Sequence, residues 1–295
     1  MHEGAGGVAT LVYLNGEFVP YEKALIPVED RGNLFADGVY EVIRFYGGRP
    51  LAMEAHMERL KRSAEAIRLP APDIGELTRA GLELVKANGV VDGSLYLQIS
   101  RGVAPRNHRF PEGVKPTVFM IAREVPRPDP QLVNSGVACI TVKDIRWGRC
   151  DIKSIGLLPN VLAKQEAYEK GAYEAIFVRD GVVTEGTSSN LFAVRGGRLI
   201  THPEGEHILP GITRRIVLHL AEREGVEVEL AEMKAEELQD VDELFLSGTI
   251  AELMPVTSVD GRPVGSGEVG PITRRLRAQY DALVERVRAG TAEPF

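Results

Sequence analysis

Three prolines fall within six residues at Val125-Pro-Arg-Pro-Asp-Pro130, and they constrain the fold more than any other feature of the chain. Each fixes its own φ and lacks a backbone N–H, so no helix or sheet interior runs through such a stretch. The chain is expected to divide here. We read a small N-terminal α/β domain over 1–125, a stiff Pro-rich linker over 126–135, and a larger β-rich domain over 136–295. With 295 residues there is length for two domains of ordinary size.

The first part reads as mixed structure. Residues 8–14 alternate loosely and end at Asn15-Gly16, a hairpin signal. Val39-Tyr-Glu-Val-Ile-Arg-Phe-Tyr46 reads as a strand stopped by Gly47-Gly48. Met53, Met57, Leu60, Ala64 and Ile67 keep helical spacing up to Pro70, and Ile74, Leu77, Gly81, Leu84 and Val85 outline a second helix ending at Asn88-Gly89. Two strands follow near 94–101 and 117–123, separated by a polar loop over 102–116. Beyond the prolines, short β runs at 136–142, 173–179, 189–194, 226–230 and 243–247 interleave with helical stretches at 160–170, 212–225 and 268–290. The class is α+β or α/β, with a cleft expected between the domains.

Composition excludes several roles. A net charge of −7 with no Lys/Arg block argues against nucleic-acid binding. No apolar run approaches the roughly 20 residues of a membrane span. The start, Met1-His-Glu-Gly-Ala-Gly-Gly, lacks the cationic head and apolar core of a signal peptide, so the cytoplasm is expected. Cys139 and Cys150 are too few for a disulfide framework and read as small buried apolar residues. The six histidines form no metal-binding pattern.

The segments with chemical potential lie in the second half. Arg149-Cys-Asp-Ile-Lys153-Ser offers a lysine, and Thr184-Glu185-Gly-Thr-Ser-Ser-Asn190 offers a carboxylate 32 residues on. A partly desolvated lysine and an acidic partner are the minimum that pyridoxal phosphate (PLP) chemistry requires. Most lysines are solvated surface groups, so spacing by itself leaves both readings open. Gly211-Ile-Thr-Arg214 opens a helix whose free N–H groups suit a phosphate or an ordinary cap. Ser247-Gly-Thr249, after an apolar strand, is a second such turn. Arg106 and His108 sit two apart in the 102–116 loop, where an extended backbone points both to one side. Together they suit a carboxylate, or simply a solvated polar loop.

Taken together, these segments resemble those of the fold-type IV PLP-dependent aminotransferases, and closest to them the bacterial D-amino acid (D-alanine) transaminases. The resemblance runs along nearly the whole chain. It is carried by Glu29-Asp-Arg-Gly32, Asp37-Gly-Val-Tyr-Glu-Val42, His56-Met-Glu-Arg-Leu60, Pro105-Arg-Asn-His-Arg-Phe-Pro-Glu112, Asp144-Ile-Arg-Trp147, Arg149-Cys-Asp-Ile-Lys-Ser154, Leu162-Ala-Lys-Gln-Glu-Ala167, Thr184-Glu-Gly-Thr-Ser-Ser-Asn190, Ile208-Leu-Pro-Gly-Ile-Thr-Arg214 and Asp242-Glu-Leu-Phe245.

The resemblance implies roles residue by residue. Lys153 is expected to bond the PLP aldehyde and act as the catalytic base, and Glu185 to face the pyridine nitrogen. Arg59, Ile212, Thr213 and Thr249 are expected around the phosphate, with Gly248 standing where the family often has Ser. Tyr40, Arg106 and His108 are expected to hold the substrate carboxylate. In the family the Arg/His loop reaches into the neighbouring subunit's site, which implies a homodimer with shared active sites. The implied reaction is ping-pong transamination between D-amino acids and 2-oxo acids. A branched-chain L-amino acid transaminase or an aminodeoxychorismate lyase shares Lys153 and Glu185, and the Arg106/His108 pair separates the first reading from these. The extension from Met1 to about Ala9 has no counterpart in the family.

Overall fold

The computed structural model describes residues 10–70 and 72–292. The expected extension, and the start of the expected strand over 8–14, fall outside them. Contacts gather the chain into two compact units. One takes the described residues of 1–126, 152–156 and 284–295, and the other takes 127–151 and 157–283.

The first unit is built on an antiparallel sheet. Its strands are β1 (Leu11–Leu14), β2 (Glu17–Pro20), β3 (Gly38–Tyr46), β4 (Arg49–Pro50), β5 (Gly93–Ser100) and β6 (Thr117–Glu124), in the order β2-β1-β6-β5-β3-β4. β1 and β2 turn at Asn15-Gly16, both at positive φ, as that dipeptide favours. The helices are α1 (Arg31–Phe35), α2 (Met53–Ala66) and α3 (Ile74–Ala87). Val39, Ile43 and Phe45 share one face of β3 by the two-residue period of a strand, and Leu60 and Ala64 of α2 and Leu77 and Leu84 of α3 join them in one buried cluster. Each of the larger of these side chains contributes about 1.5–3 kcal/mol by leaving water.

Residues 152–156 belong to this unit and lie along the start of β3. Tyr40 N–H donates to the Lys153 carbonyl at 3.0 Å, and Ile155 N–H to the Gly38 carbonyl at 3.1 Å. Gly38 permits the approach: a Cβ there would lie 2.6 Å from the Ile99 carbonyl oxygen and 2.9 Å from Ile155 Cδ1. Lys153, expected in the C-terminal domain, therefore belongs to the first unit instead. The segment's backbone partners are on β3, more than a hundred residues upstream.

The second unit holds α4 (Pro130–Ser135), β7 (Val137–Lys143), α5 (Leu158–Glu169), β8 (Glu174–Arg179), β9 (Val182–Gly186), β10 (Asn190–Arg195), β11 (Arg198–Thr201), α6 (Ile212–Arg223), β12 (Val228–Leu230), β13 (Met233–Lys234), β14 (Glu243–Gly248), β15 (Glu252–Val259), β16 (Arg262–Pro263) and most of α7 (Pro271–Ala289). The strand order is β12-β11-β10-β14-β15-β7-β8-β9-β13, with β16 on β15. A bridge between Asn190 and Glu185 joins β10 to β9 and closes the central strands into a ring. Their apolar cluster includes Val137, Ile176, Leu191, Leu244, Leu246 and Met254.

The expected linker contains a helix in its second half. α4 starts at Pro130, whose missing N–H costs nothing in a first turn, and Asp129 caps it by accepting from Gln131 N–H at 2.8 Å. Strands β9, β11 and β15 are not evident from the sequence. β15 contains Pro255, which reads as a strand breaker, yet it pairs with Phe245 of β14. Among the described residues no helix is long and apolar enough to cross a membrane.

Candidate active site

The first unit assembles Lys153, Tyr40 and Arg59. The Lys153 ammonium lies 4.3 Å from the centroid of the Tyr40 ring. Lys153 N–H donates to Ser63 Oγ of α2 at 3.2 Å, which ties the lysine's backbone to that helix as well as to β3. Arg59, on α2, is 3 % exposed. Its guanidinium reaches Glu41 of β3 through Nε to Oε1 at 2.7 Å and Nη2 to Oε2 at 3.0 Å.

Glu41 is absent from the residues that the sequence singles out, although it had a signal. It occupies the inward phase of β3 between Val39 and Ile43, where a charge needs a partner. It is fully buried, and His56 Nδ1 lies 2.8 Å from Oε2. Burial by itself would raise its carboxyl, but the charges of Arg59 and His56 outweigh this and hold it far below the usual carboxylate range. Glu41 thus fixes a buried cation that can serve an anionic group.

Arg106 and His108 are exposed on the 102–116 loop. Gly102, at φ +98°, turns the chain into this loop at a point where a Cβ would lie 2.1 Å from the Lys115 carbonyl oxygen. The Phe35 ring carries both side chains: the His108 ring centroid is 5.3 Å away and the Arg106 guanidinium carbon 5.1 Å away. Among the described residues neither makes a hydrogen bond to Tyr40.

In the second unit, Glu185 is the next-to-last residue of β9 and is 5 % exposed. Arg146 Nη1 donates to its Oε1 at 2.5 Å, and Asn190 Nδ2 and Leu209 N–H each donate to Oε2 at 3.0 Å. Arg146 also donates to both oxygens of Asp144, from Nε at 3.0 Å and Nη2 at 2.9 Å, and packs 4.3 Å from the Phe177 ring centroid. Arg146 and Asp144 belong to a segment read as informative, but Glu185 lies 39 residues away and no local spacing marks the pairing. Beside them, burial pushes the Cys150 thiol up to about 11 despite the opposing charge of Arg146.

Asn190 links Glu185 to the start of α6. Its Nδ2 also donates to the Leu209 carbonyl at 2.9 Å, and a Cβ on Gly211 would lie 2.0 Å from its Oδ1. Glycine at 211 is therefore what lets α6 begin here. α6 then starts with Ile212 and Thr213, and among the described residues no side chain caps its N-terminus. Gly248 packs its backbone near the turn at Ser188, where a Cβ would meet the carbonyl oxygen at 3.2 Å. Ser189 and Ser247 carry hydroxyls that are buried and make no hydrogen bond among the described residues. The α6 N-terminus offers the kind of donors that fit a phosphate dianion, and the two unbonded hydroxyls lie on β14 and just before β10, beside Asn190. The buried carboxylate of Glu185, held by three donors, fits a protonated ring nitrogen.

The model of the amino-transferase class IV family matches residues 38–259. A D-alanine aminotransferase of Staphylococcus epidermidis is 46% identical over 278 residues, covering 94% of this chain and 98% of that protein. One from Bacillus licheniformis is 43% identical over 283 residues, covering 96% and 99%. Among solved structures, the Escherichia coli branched-chain amino acid aminotransferase superposes with a TM-score of 0.89 at 31% identity, covering 97% of this chain and 96% of that one. The T.th. branched-chain amino acid aminotransferase with pyridoxamine 5′-phosphate gives 0.88 at 31% identity, covering 96% of each.

Proposed function

The chain belongs to the class IV aminotransferases, and from that premise we propose that it is a PLP-dependent enzyme exchanging amino groups between D-amino acids, such as D-alanine and D-glutamate, and 2-oxo acids. The observation that carries the choice of hand is the loop bearing Arg106 and His108, together with 43–46% identity to D-alanine aminotransferases. The branched-chain L-amino acid reading draws on the solved structures at 31% identity and is the weaker of the two.

The bound cofactor would supply an electron sink for the pair left when the substrate Cα–H bond breaks. Lys153 would hold it through the ε-amine, Glu185 through its ring nitrogen, and Arg59, Ile212, Thr213, Gly248 and Thr249 through its phosphate. With its amine free, Lys153 would be the base that takes the proton from the substrate Cα and the acid that gives it back. Glu185, its carboxylate oriented by Arg146, Asn190 and Leu209, would accept a hydrogen bond from the ring nitrogen. Tyr40, Arg106 and His108 hold the substrate carboxylate, so Lys153 meets one face of Cα only. Repeating the steps with a second oxo acid completes the ping-pong cycle.

A homodimer would bring the Arg106/His108 loop of one subunit to the Lys153 of the other. Support comes from α5, where Leu158, Val161 and Leu162 keep helical spacing yet are 68 %, 60 % and 55 % exposed, an apolar stripe that suits a second copy. Cys139 and Cys150 are both free and buried, in keeping with a reducing cytoplasm. The test is turnover with matched D- and L-alanine, glutamate and leucine, using pyruvate or 2-oxoglutarate as acceptor. A preference for the L-series would overturn the proposal.

A further inference from the structure

We infer that Arg31 is a positioning residue for the substrate carboxylate: its guanidinium grips the peptide carbonyls on both sides of His108 and so fixes where Arg106 and His108 project. The inference rests on the reading of Arg106 and His108 as the carboxylate-binding pair.

Arg31 opens α1, a short surface helix, yet its side chain is only 4 % exposed. Its Nη1 donates to the Asn107 carbonyl at 2.5 Å and lies 3.5 Å from the Arg109 carbonyl. Its Nε donates to Asp37 Oδ2 at 2.8 Å, and its guanidinium carbon stands 4.7 Å from the Phe35 ring centroid. The same ring carries Arg106 and His108. One side chain therefore touches the loop backbone, the aromatic platform and the carboxylate that anchors both.

Asp37 extends the grip. Arg101 binds it twice, from Nε at 2.8 Å and from Nη2 at 2.9 Å, and donates to the Ile67 and Arg68 carbonyls, each at 2.8 Å. The Arg101 guanidinium carbon lies 3.7 Å from the Phe110 ring centroid. The loop is thus tied down at 107, 109 and 110 by two arginines that share one carboxylate. The backbone of 107 and 109 is thus held by the same guanidinium that faces the Phe35 ring, against which the side chains of 106 and 108 lie.

Two physical arguments make this a recognition device. An exposed polar loop of this length is mobile unless its backbone is bonded, and ordering it on binding would subtract from substrate affinity. Only arginine has a rigid fork of donors that can serve Asp37 along one edge and a peptide carbonyl along another, whereas lysine offers a point charge. Asp37 also offsets part of the positive charge that Arg31 and Arg101 would otherwise set beside Arg106.

The experiment uses the PLP-loaded enzyme and compares Arg31→Lys and Arg31→Gln with wild type and with Arg106→Ala. The readouts are kcat and KM for D-alanine, the inhibition constant of propionate, which has the carboxylate without the amine, and hydrogen exchange of 105–112. Both Arg31 variants should raise KM and the propionate constant together by about 10- to 100-fold, the scale of a displaced contact. They should keep kcat within about twofold, because the chemistry at Lys153 is untouched. Exchange in 105–112 should quicken. Should Arg31→Gln fail to fold, Arg31→Lys keeps an ion pair with Asp37 and still loses the two-carbonyl grip. Unchanged KM and propionate binding in Arg31→Lys, with both raised in Arg106→Ala, would overturn the positioning role. A fall in kcat with KM unchanged would overturn it too. If Arg106→Ala itself binds propionate normally, the carboxylate reading falls and the role of Arg31 with it.

Discussion

Arg146 Nη1 lies 2.5 Å from Glu185 Oε1, so the carboxylate proposed to face the cofactor ring is itself held by a buried guanidinium. Asn190 and Leu209 occupy the other oxygen. Arg146, Asn190 and Leu209 all donate to it, as suits a carboxylate. Glu185→Gln keeps the shape but turns one acceptor into an NH₂ group facing donors. We expect turnover to fall about 100-fold or more, the scale of one lost transition-state contact. We also expect about 1–3 kcal/mol less stability, because a buried donor loses its partner. Steady-state kinetics and urea unfolding check the two separately. Unchanged turnover would mean that another group serves the ring nitrogen.

Lys153 is fixed at its backbone by β3 and by Ser63, while its amine stands over Tyr40. Borohydride reduction of the loaded enzyme should therefore link PLP to Lys153 alone. Lys153→Ala should abolish turnover and still retain PLP through the phosphate donors. Peptide mapping decides the matter, and an adduct on Lys143 or Lys164 would sink the assignment.

Much of this is legible in the sequence, and for local reasons. Val39 to Tyr46 alternates and is stopped by two glycines, and α2 and α3 keep their apolar residues at helical spacing. Lys153 and Glu185 stand out through the segments around them. What stays hidden depends on contacts distant in sequence. Nothing near Lys153 says that its segment pairs with β3. Nothing near Arg146 says that it reaches Glu185. β15 hides behind Pro255, and its pairing with β14 overrides the local signal. Glu41 is a residue that could have been found, since a charge in the apolar phase of a strand requires a buried partner, and Arg59 and His56 supply it.

Asp37 gives a pH-dependent stability. Burial raises its carboxyl, but Arg101 and Arg31 more than compensate and leave it below the ordinary range. A lowered folded value means that the unfolded chain takes up the proton first as pH falls. The stabilisation is then complete above the unfolded value of about 3.9 and lost as pH falls below it. Asp37→Asn should cost about 1–3 kcal/mol at pH 7, since two buried guanidinium groups lose a charged partner. The gap to wild type should shrink as pH falls below about 4. Unfolding curves at several pH values check it, and a gap independent of pH would refute the ionic account.

Substrate hand is the sharpest test of function. Arg106 and His108 stand on Phe35 in a loop that the core does not need. A carboxylate held there gains charge-assisted bonds, so removing the guanidinium should cost about 1.5–3 kcal/mol of binding. That corresponds to about 10- to 150-fold in KM where chemistry is slow relative to release. Arg106→Ala should thus weaken D-alanine use and leave ethylamine, which is alanine without its carboxylate, far less affected. The loss should appear in KM and not in kcat, because Lys153 still reaches Cα once the substrate is bound. Wild-type enzyme should use D-alanine and reject L-leucine, since the carboxylate anchor decides which face of Cα meets the lysine. Intact D-alanine kinetics in Arg106→Ala, or a wild-type preference for L-leucine, would hand the chain to the branched-chain reading.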